Sequence, residues 1–313
     1  MFPISVHALR EYHGLPAPQD IRVPTASKLA ALCTGIHPRH YNLGLAYPSE
    51  APVFWIKYGP SITWNEVPAQ VMAYEELRRL SSPVKAPGIF YACDLELRGA
   101  QRERRKSYIV MQYIPGKTAD EWLKNIEDLA RADSIYSHIA FALSELHRIP
   151  VPPGSRPAAI NGGKIRHSLF DDQDAPRHYQ DVEQLEDHLN QFLTITKKKD
   201  RVEGPSREPL VYGYSDVWLE NFIISESGDI AVIDFSDTSI LPSSFSRFVL
   251  SGAQSKIKRD ISGLVQVPTT DGVDNTLALR AAAGPMVMGP SSFASLGRKM
   301  LGGDVETQES FDQ

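Results

Sequence analysis

Cysteine is almost missing from this sequence, which has only Cys33 and Cys93 in 313 residues. Two cysteines cannot form the disulfide framework of a small secreted domain, and neither lies in a paired C-x-x-C pattern that would indicate a metal site. Long apolar runs are missing too, since none approaches the roughly 18 residues that a membrane-spanning helix needs. The first residues, MFPISVHALREYHGLPAP, lack the basic start and apolar core of a signal peptide. We therefore expect a cytoplasmic protein that makes no contact with a membrane.

An excess of positive charge is also missing. The 33 Lys and Arg residues are outnumbered by 38 Asp and Glu, for a net charge of -5 and a pI near 6.0. This balance argues against a partner such as nucleic acid, whose binding depends on phosphate contacts. The remaining composition, 42% hydrophobic and 23% charged, is typical of a globular protein. The length allows one large domain or two lobes that each have a core.

Several short catalytic motifs are missing as well. The sequence contains no H-E-x-x-H and no G-x-S-x-G. The segment AINGGKIRH (159–167) resembles a nucleotide-binding Walker loop only superficially, because it has Ile165 where Ser or Thr is needed and lacks the earlier glycine. We interpret it instead as part of an insertion on the acceptor side of the site.

The hydrophobic pattern changes from strands to helices along the chain. Strands are predicted at 53–59, 88–97 and 107–114, and a hairpin turn at the basic run RGAQRERRK (98–106). The segment 26–47 indicates two weak strands around Gly35 and Gly44. A helix begins after Thr63 or Asn65, and its apolar stripe has the spacing of one helix face.

Helices dominate the later part of the chain. Thr118 and Glu121 have the spacing of a capping box, a long helix is predicted at 129–148, and Asp181 with Gln184 opens another. The predicted fold class is therefore α+β in two lobes, an antiparallel sheet with one helix followed by a larger, mostly helical lobe. The predicted divisions are an N-terminal arm or short helix over 1–25, a first lobe over 26–111, a second lobe over 112–301 and a disordered tail over 302–313.

Three polar side chains stand among the hydrophobic residues of YGYSDVWLENFIISESGDIAVIDF (212–235). Asp216 and Asn221 precede a predicted hairpin, and Asp234 follows it. Each residue alone is more often a turn former. Because a hairpin brings its ends together, however, Asn221 and Asp234 can share a site, and an incomplete set of oxygen ligands suits Mg²⁺. Asp216 would then point at a nucleophile beside the metal, as in phosphoryl transfer.

Lys57 lies inside the predicted strand VFWIKYG. An unpaired ammonium there would be costly to bury, so a carboxylate on the next helix and the phosphates of a nucleotide are expected partners. The alternative is a lysine on an edge strand, with its stem packed and its head in water.

These motifs, in the order IKYG, VMQYIPG, SELHRIP, YSDVWLENFII and AVIDF, resemble the aminoglycoside phosphotransferase family of the protein-kinase-like superfamily, and most of all its fungal members. The resemblance covers roughly 25–250. It implies a protein-kinase-like fold and an ATP- and Mg²⁺-dependent transfer of phosphate to the hydroxyl of a small molecule. The likeness to fungal members also suggests a role in specialised metabolism.

The same resemblance implies a role for each matching residue. Lys57 matches the strand lysine that acts in catalysis and binds the nucleotide phosphates, and Glu66, or alternatively Glu76, matches its helix partner. The hinge, where main-chain groups hold adenine, corresponds to Gln112 and Ile114. The catalytic base corresponds to Asp216, and the Mg²⁺ ligands to Asn221 and Asp234.

The loop around Asp216 departs from the family pattern His-Gly-Asp-Leu-His-Pro-Gly-Asn. Tyr214 replaces the supporting histidine, and Trp218 and Glu220 should reshape the mouth of the acceptor pocket. Together with Asp216, Asp234 and Asp237, Glu220 suggests an acidic mouth. This altered loop leaves open two other functions: a pseudokinase that binds a nucleotide or partner, and a kinase fold repurposed for ATP-independent chemistry such as cyclisation.

Overall fold

A computed structural model describes residues 5–18, 21–33, 42–98, 103–124, 126, 128–251, 257 and 259–287. The predicted strand around Gly35 and the predicted tail over 302–313 lie outside these residues. The described chain has the α+β, two-lobed architecture that the sequence predicts.

The first lobe is an antiparallel sheet of five strands in the order β1-β4-β5-β3-β2 with two helices. The strands are β1 (Ser5–His13), β2 (Leu43–Tyr47), β3 (Phe54–Gly59), β4 (Ile89–Arg98) and β5 (Glu103–Gln112). The helices are α1 (Ala26–Leu32) and α2 (Glu66–Arg79).

Three features of this lobe differ from the sequence predictions. The N-terminal segment is no separate arm, because β1 pairs with β4 and forms an edge of the sheet. Residues 26–32 form a helix, where the weak pattern of the sequence predicted none, and the Thr25 side chain caps it by accepting from the Lys28 amide at 3.3 Å. Much of the basic run is strand, since residues 103–106 pair with β4.

The second lobe holds most of the helices and two small sheets. The sheets have the strand orders β10-β9-β6 and β7-β11-β8. The predicted capping box at Thr118 and Glu121 is confirmed, as is the cap of Asp181 on the following helix. The strands are β6 (Lys117–Thr118), β7 (Ala158–Ala159), β8 (Leu210–Tyr214), β9 (Phe222–Ile224), β10 (Ile230–Val232) and β11 (Thr238–Pro242). The helices are α3 (Ala119–Leu123), α4 (Leu129–Leu146), α5 (Val182–Ile195), α6 (Ser243–Leu250) and α7 (Thr276–Val287).

Helix α2 packs between the two lobes. Val67 belongs to a cluster under the first-lobe sheet, whereas Ala69 and Ala73 belong to the core of the second lobe. The buried Tyr212 hydroxyl of β8 donates to the Ala69 carbonyl at 2.8 Å. Small side chains on this face of α2 allow β8 to approach the helix closely. This packing fixes where Glu66, the first residue of the helix, lies relative to both lobes.

Across the described ranges, no helix combines the length and the apolar character needed to cross a bilayer.

Two histidines are buried in the second lobe. His188 is fully buried, and its Nδ1 lies 2.7 Å from the Tyr179 hydroxyl. His167 is also buried, and its Nδ1 accepts from the Leu169 amide at 3.1 Å. Burial disfavours the charged imidazolium, which lowers the pKa of His167 to about 3 and the pKa of His188 to about 4.

We expect these histidines to make the fold sensitive to acid. Below pH 6.5 the unfolded chain protonates them, whereas the folded chain leaves them neutral down to their lowered pKa values. Stability should therefore fall by up to about 1.4 kcal/mol per pH unit for each histidine as the pH drops from 6.5 towards 4. Urea unfolding at pH 7.5 and 5 measures this loss. His188→Gln should reduce it, while His138→Gln, at a partly exposed position of α4, should not; equal pH slopes in both variants would contradict the assignment.

Candidate active site

Lys57 lies in the middle of β3 and is buried between two carboxylates from different parts of the chain. Its Nζ donates to both carboxylate oxygens of Glu66, at 2.8 and 2.9 Å, and to Asp234 Oδ1 at 2.9 Å. Glu66 is fully buried and the Lys57 side chain is 13% exposed, so this lysine is not one with its head in water. Of the two candidate partners on α2, Glu66 is the one that contacts Lys57. Glu76 pairs with Arg79 at 2.7 Å.

Burial and charge act differently on the three groups of this triad. Burial alone would lower the pKa of Lys57, but the adjacent Glu66 and Asp234 outweigh it and raise the pKa above its ordinary value. Burial raises the pKa of Glu66 to about 7, against the opposing attraction of Lys57. Burial also acts to raise the pKa of Asp234, but Lys57 and hydrogen bonds from Ser236 lower it below its ordinary value. Asp234 is therefore the carboxylate that stays ionised at neutral pH.

The hairpin of β9 and β10 brings Asn221 beside Asp234, as its sequence predicts. Phe222 pairs with Val232, and the next residues along are joined by a hydrogen bond from the Ile233 amide to the Asn221 carbonyl at 3.0 Å. Asp234 follows directly, with a φ of 59°, in the left-handed region that non-glycine residues rarely adopt. The backbone turns sharply there, where its side chain contacts Lys57.

Asp216 and Asn221 lie at the two ends of one tight loop. Asn221 Nδ2 donates to the Asp216 carbonyl at 2.8 Å and to Asp216 Oδ2 at 3.0 Å. The Trp218 amide also donates to the Asp216 carbonyl, at 2.9 Å. The Tyr214 hydroxyl, at the position of the family histidine, donates to the Ile233 carbonyl at 2.9 Å and so connects this loop to the hairpin.

The predicted hinge lies at the end of β5. The Gln112 amide donates to the Gly88 carbonyl at 2.8 Å, and the Tyr113 amide to the Val53 carbonyl at 2.9 Å. The Gln112 amide is therefore already paired and cannot bind a ligand. Among the backbone hydrogen bonds found in the described residues, none uses the Ile114 amide.

The predicted acceptor residues Trp218 and Glu220 are both exposed, and Trp218 is 42% exposed. The expected acidic mouth is wrong for Asp237, which is buried and pairs with Arg166 at 2.8 Å. Burial raises the pKa of Asp237, an effect that Arg166 opposes. The carboxylate of Asp234 is likewise paired, with Lys57.

Sequence reasoning missed two residues that support this cluster. Asn65 was considered only as a helix cap, but its side chain makes no cap and reaches across to the second lobe. Arg166 belongs to the segment interpreted as an acceptor-side insertion, and it binds Asp237 instead. Burial predicts that polar side chains at such positions find partners, but no local pattern says which partners they are.

A cavity of about 820 Å³ in the described residues lies apart from the triad. It lies on another face of α2, between β1 and the proline-rich segment 150–153, and includes Trp64, Glu75 and Asn161. The candidate active site is thus defined by its polar contacts and not by the size of a cavity.

The family model described as "Phosphotransferase enzyme family" matches residues 60–242, more than half of the chain. The chain belongs to this phosphotransferase family. The matched range includes Glu66, the loop from Asp216 to Asn221 and Asp234. Lys57 lies just before it, so its place in the site rests on its own contacts. No curated protein matches the chain.

Solved structures of family members are similar to this chain at low identity. The streptomycin–ATP–APH(2")-IIa ternary complex is 15% identical, with 83% of this chain and 90% of that chain covered and a TM-score of 0.39. Spectinomycin phosphotransferase, APH(9)-Ia, in complex with ADP and spectinomycin is 13% identical, with 86% and 82% covered and a TM-score of 0.42. The GDP and kanamycin complex of APH(2")-IIia is 15% identical, with 77% of each chain covered and a TM-score of 0.42.

We expect removal of the Lys57 charge to destabilise the protein most at high pH. Lys57→Met leaves the buried Glu66 beside Asp234 without a cation, so the folded-state pKa of Glu66 rises above 7. The folded state then holds a proton that the unfolded state has released, and stability falls by up to about 1.4 kcal/mol per unit as the pH rises towards that pKa. The total cost at pH 8.5 should be about 3 kcal/mol or more.

Urea unfolding of the variant and the wild type at pH 6 and 8.5 measures this effect. Lys85→Met is the matched control, because Lys85 forms an exposed pair with Asp229 at 3.5 Å and its loss should cost under about 1 kcal/mol at either pH. A Lys57→Met variant with the pH profile of the wild type would show that Glu66 does not depend on this lysine.

Proposed function

We propose that this phosphotransferase-family protein transfers the γ-phosphoryl group of ATP, with Mg²⁺, to the hydroxyl group of a small molecule. The observation that carries the proposal is the contact of Lys57 with both Glu66 and Asp234. This contact brings the Lys57 ammonium of the first lobe to Asp234, at the end of the hairpin that begins at Asn221. Asn221 in turn is hydrogen-bonded to Asp216.

The side chains beside Lys57 suit a magnesium ion. Asn221 and Asp234 offer an amide oxygen and an ionised carboxylate, and Mg²⁺ favours such oxygen ligands while taking the rest from water and phosphates. Because Asn221 Nδ2 binds Asp216, the amide oxygen is the atom that can face a cation. Among the described residues, no group of three or more His, Cys, Asp or Glu could hold a metal. When bound, the ion would neutralise charge on the transferring phosphate.

Two parts of the chain would orient the reactants. Lys57 is held by two carboxylates and would bind the nucleotide phosphates, while the Gln112 carbonyl and the Ile114 amide would bind adenine. Asp216 would accept the proton of the acceptor hydroxyl. At the same time the hydroxyl oxygen would bond to the γ-phosphorus, and ADP would leave. Such a loose transition state needs mainly positioning and charge neutralisation. The exposed Trp218 and Glu220 would line the acceptor side.

The proposal predicts that the protein binds ATP and Mg²⁺ together. At about 100 times its Kd, a ligand adds about 2.7 kcal/mol to stability, which raises the melting temperature by a few degrees. Melting curves with ATP, with Mg²⁺ and with both should show a rise that needs both components. Asp234→Asn should lose that rise, whereas Asp229→Asn, at an exposed position in the turn of the same hairpin, should keep it. No rise at millimolar MgATP would favour an ATP-independent use of this fold.

A second prediction separates catalysis from binding. Asp216→Asn keeps the size of the side chain and the contacts of the residue 216 carbonyl but removes the base. We expect kcat to fall by about 10²-fold or more, with the KM for ATP nearly unchanged. Transfer of labelled phosphate from ATP to acceptors found in a screen of hydroxyl compounds measures both constants. If only the KM for ATP changes, Asp216 belongs to nucleotide binding and is not the base.

A further inference from the structure

Asn65 is a buried amide at the start of α2, directly before Glu66. Asparagine at this position usually caps its own helix by accepting from a backbone amide of the first turn. Here it does not, because its backbone is already helical (φ -58°, ψ -31°) and its side chain makes no cap. The Glu66 and Val67 amides donate instead to the carbonyls of Thr63 and Trp64. The amide of Asn65 is therefore available for other contacts.

All of these contacts are with the second lobe. Asn65 Nδ2 donates to the carbonyl of Ser236 at 3.0 Å and to that of Thr238 at 2.8 Å. Its Oδ1 accepts from the Asn161 amide at 3.2 Å. The side chain is 2% exposed, so these bonds are shielded from water, and losing a partner would leave a buried polar group unsatisfied.

The segment that Asn65 binds follows Asp234 and is held from two sides. The carbonyls of Ser236 and Thr238 face α2. The carbonyl of Asp237, between them, accepts from both the amide and the hydroxyl of Ser215, at 3.0 and 2.8 Å. Ser236 and Asp237 form the turn that leads into β11. One side of the segment therefore contacts the helix of Glu66, and the other contacts the residue before Asp216.

We propose that Asn65 is a positioning residue that fixes the helix carrying Glu66 against the backbone that follows Asp234. This proposal rests on the proposed function, because the spacing between α2 and the segment after Asp234 sets where Asp234 would meet a metal ion. The two Asn65 bonds keep the backbone of Glu66 close to the backbone that follows Asp234. The left-handed φ of Asp234 costs about 1 to 3 kcal/mol, and such a conformation persists only where its surroundings impose it.

The same helix offers a matched control. Gln70 is also a buried amide of α2, but its Nε2 donates to the Pro87 carbonyl, within the first lobe, at 2.8 Å. Asn65→Leu and Gln70→Leu each remove one buried amide from one helix. Only the first removes a contact between the lobes. Asn65→Asp, which keeps the size and removes the amide donors, is the second variant if Asn65→Leu does not fold.

The first measurement uses protein without ligand. Hydrogen exchange followed by mass spectrometry reports the protection of backbone amides in 234–242. We expect exchange there to become at least about tenfold faster in Asn65→Leu, and to stay at the wild-type rate in Gln70→Leu, since local opening follows the loss of contacts that hold a segment. Equal rates in the two variants would overturn the proposal.

The second measurement is the Mg²⁺ concentration at which nucleotide binding is half-saturated, determined by calorimetry at a fixed ATP concentration. Loss of a group that orients a metal ligand typically weakens metal affinity by 10- to 100-fold, so we expect a rise of about tenfold in Asn65→Leu with metal-free ATP affinity unchanged. An unchanged Mg²⁺ requirement would overturn the positioning role. If the wild type itself binds no nucleotide with Mg²⁺, the proposed function fails, and hydrogen exchange alone then decides whether Asn65 fixes the segment.

Discussion

The rest of the site depends on one constraint, the burial of the Lys57 ammonium. A charge taken out of water is stable only when paired and hydrogen-bonded. Lys57 obtains one carboxylate from α2 and the other from the hairpin of the second lobe. A protein that buries this lysine must therefore bring its two lobes together at one point. In the proposed function, phosphate groups would bind at the same point, because Lys57 and the proposed metal ligands Asn221 and Asp234 meet there.

The two carboxylates of the triad differ because their exposure differs. Glu66 is fully buried, and its pKa is raised to about 7, whereas Asp234 is 31% exposed and its pKa is lowered. Two acids beside one lysine thus take different roles. Glu66 holds the lysine in place, while the more accessible Asp234 keeps the charge that a metal ion would use.

Local pattern predicted most of the elements that carry these residues. The β-branched run around Lys57, the cap at Thr118 and the hairpin between Asn221 and Asp234 depend on neighbours in sequence, and all three are present. Strand β1 was missed because its partner, β4, lies far along the chain and its proline-rich surroundings resemble a loop. Asn65 was misjudged for the opposite reason. Its position at the start of a helix predicts a local N-cap, whereas its side chain contacts a segment far along the chain.

Residues of the site that are hydrogen-bonded to distant segments and residues that are exposed differ in how easily they can be replaced. The triad, the Asn65 contacts and the Asp216–Asn221 loop each depend on buried or part-buried hydrogen bonds, so replacing one member leaves a partner unsatisfied. Trp218 and Glu220 are exposed and can vary at little cost to stability. If Trp218 and Glu220 line the acceptor side, as we propose, the choice of acceptor can diverge without disturbing the triad, because function belongs to the site and not to the fold. The departures from the family pattern at Trp218 and Glu220 lie where such divergence costs least.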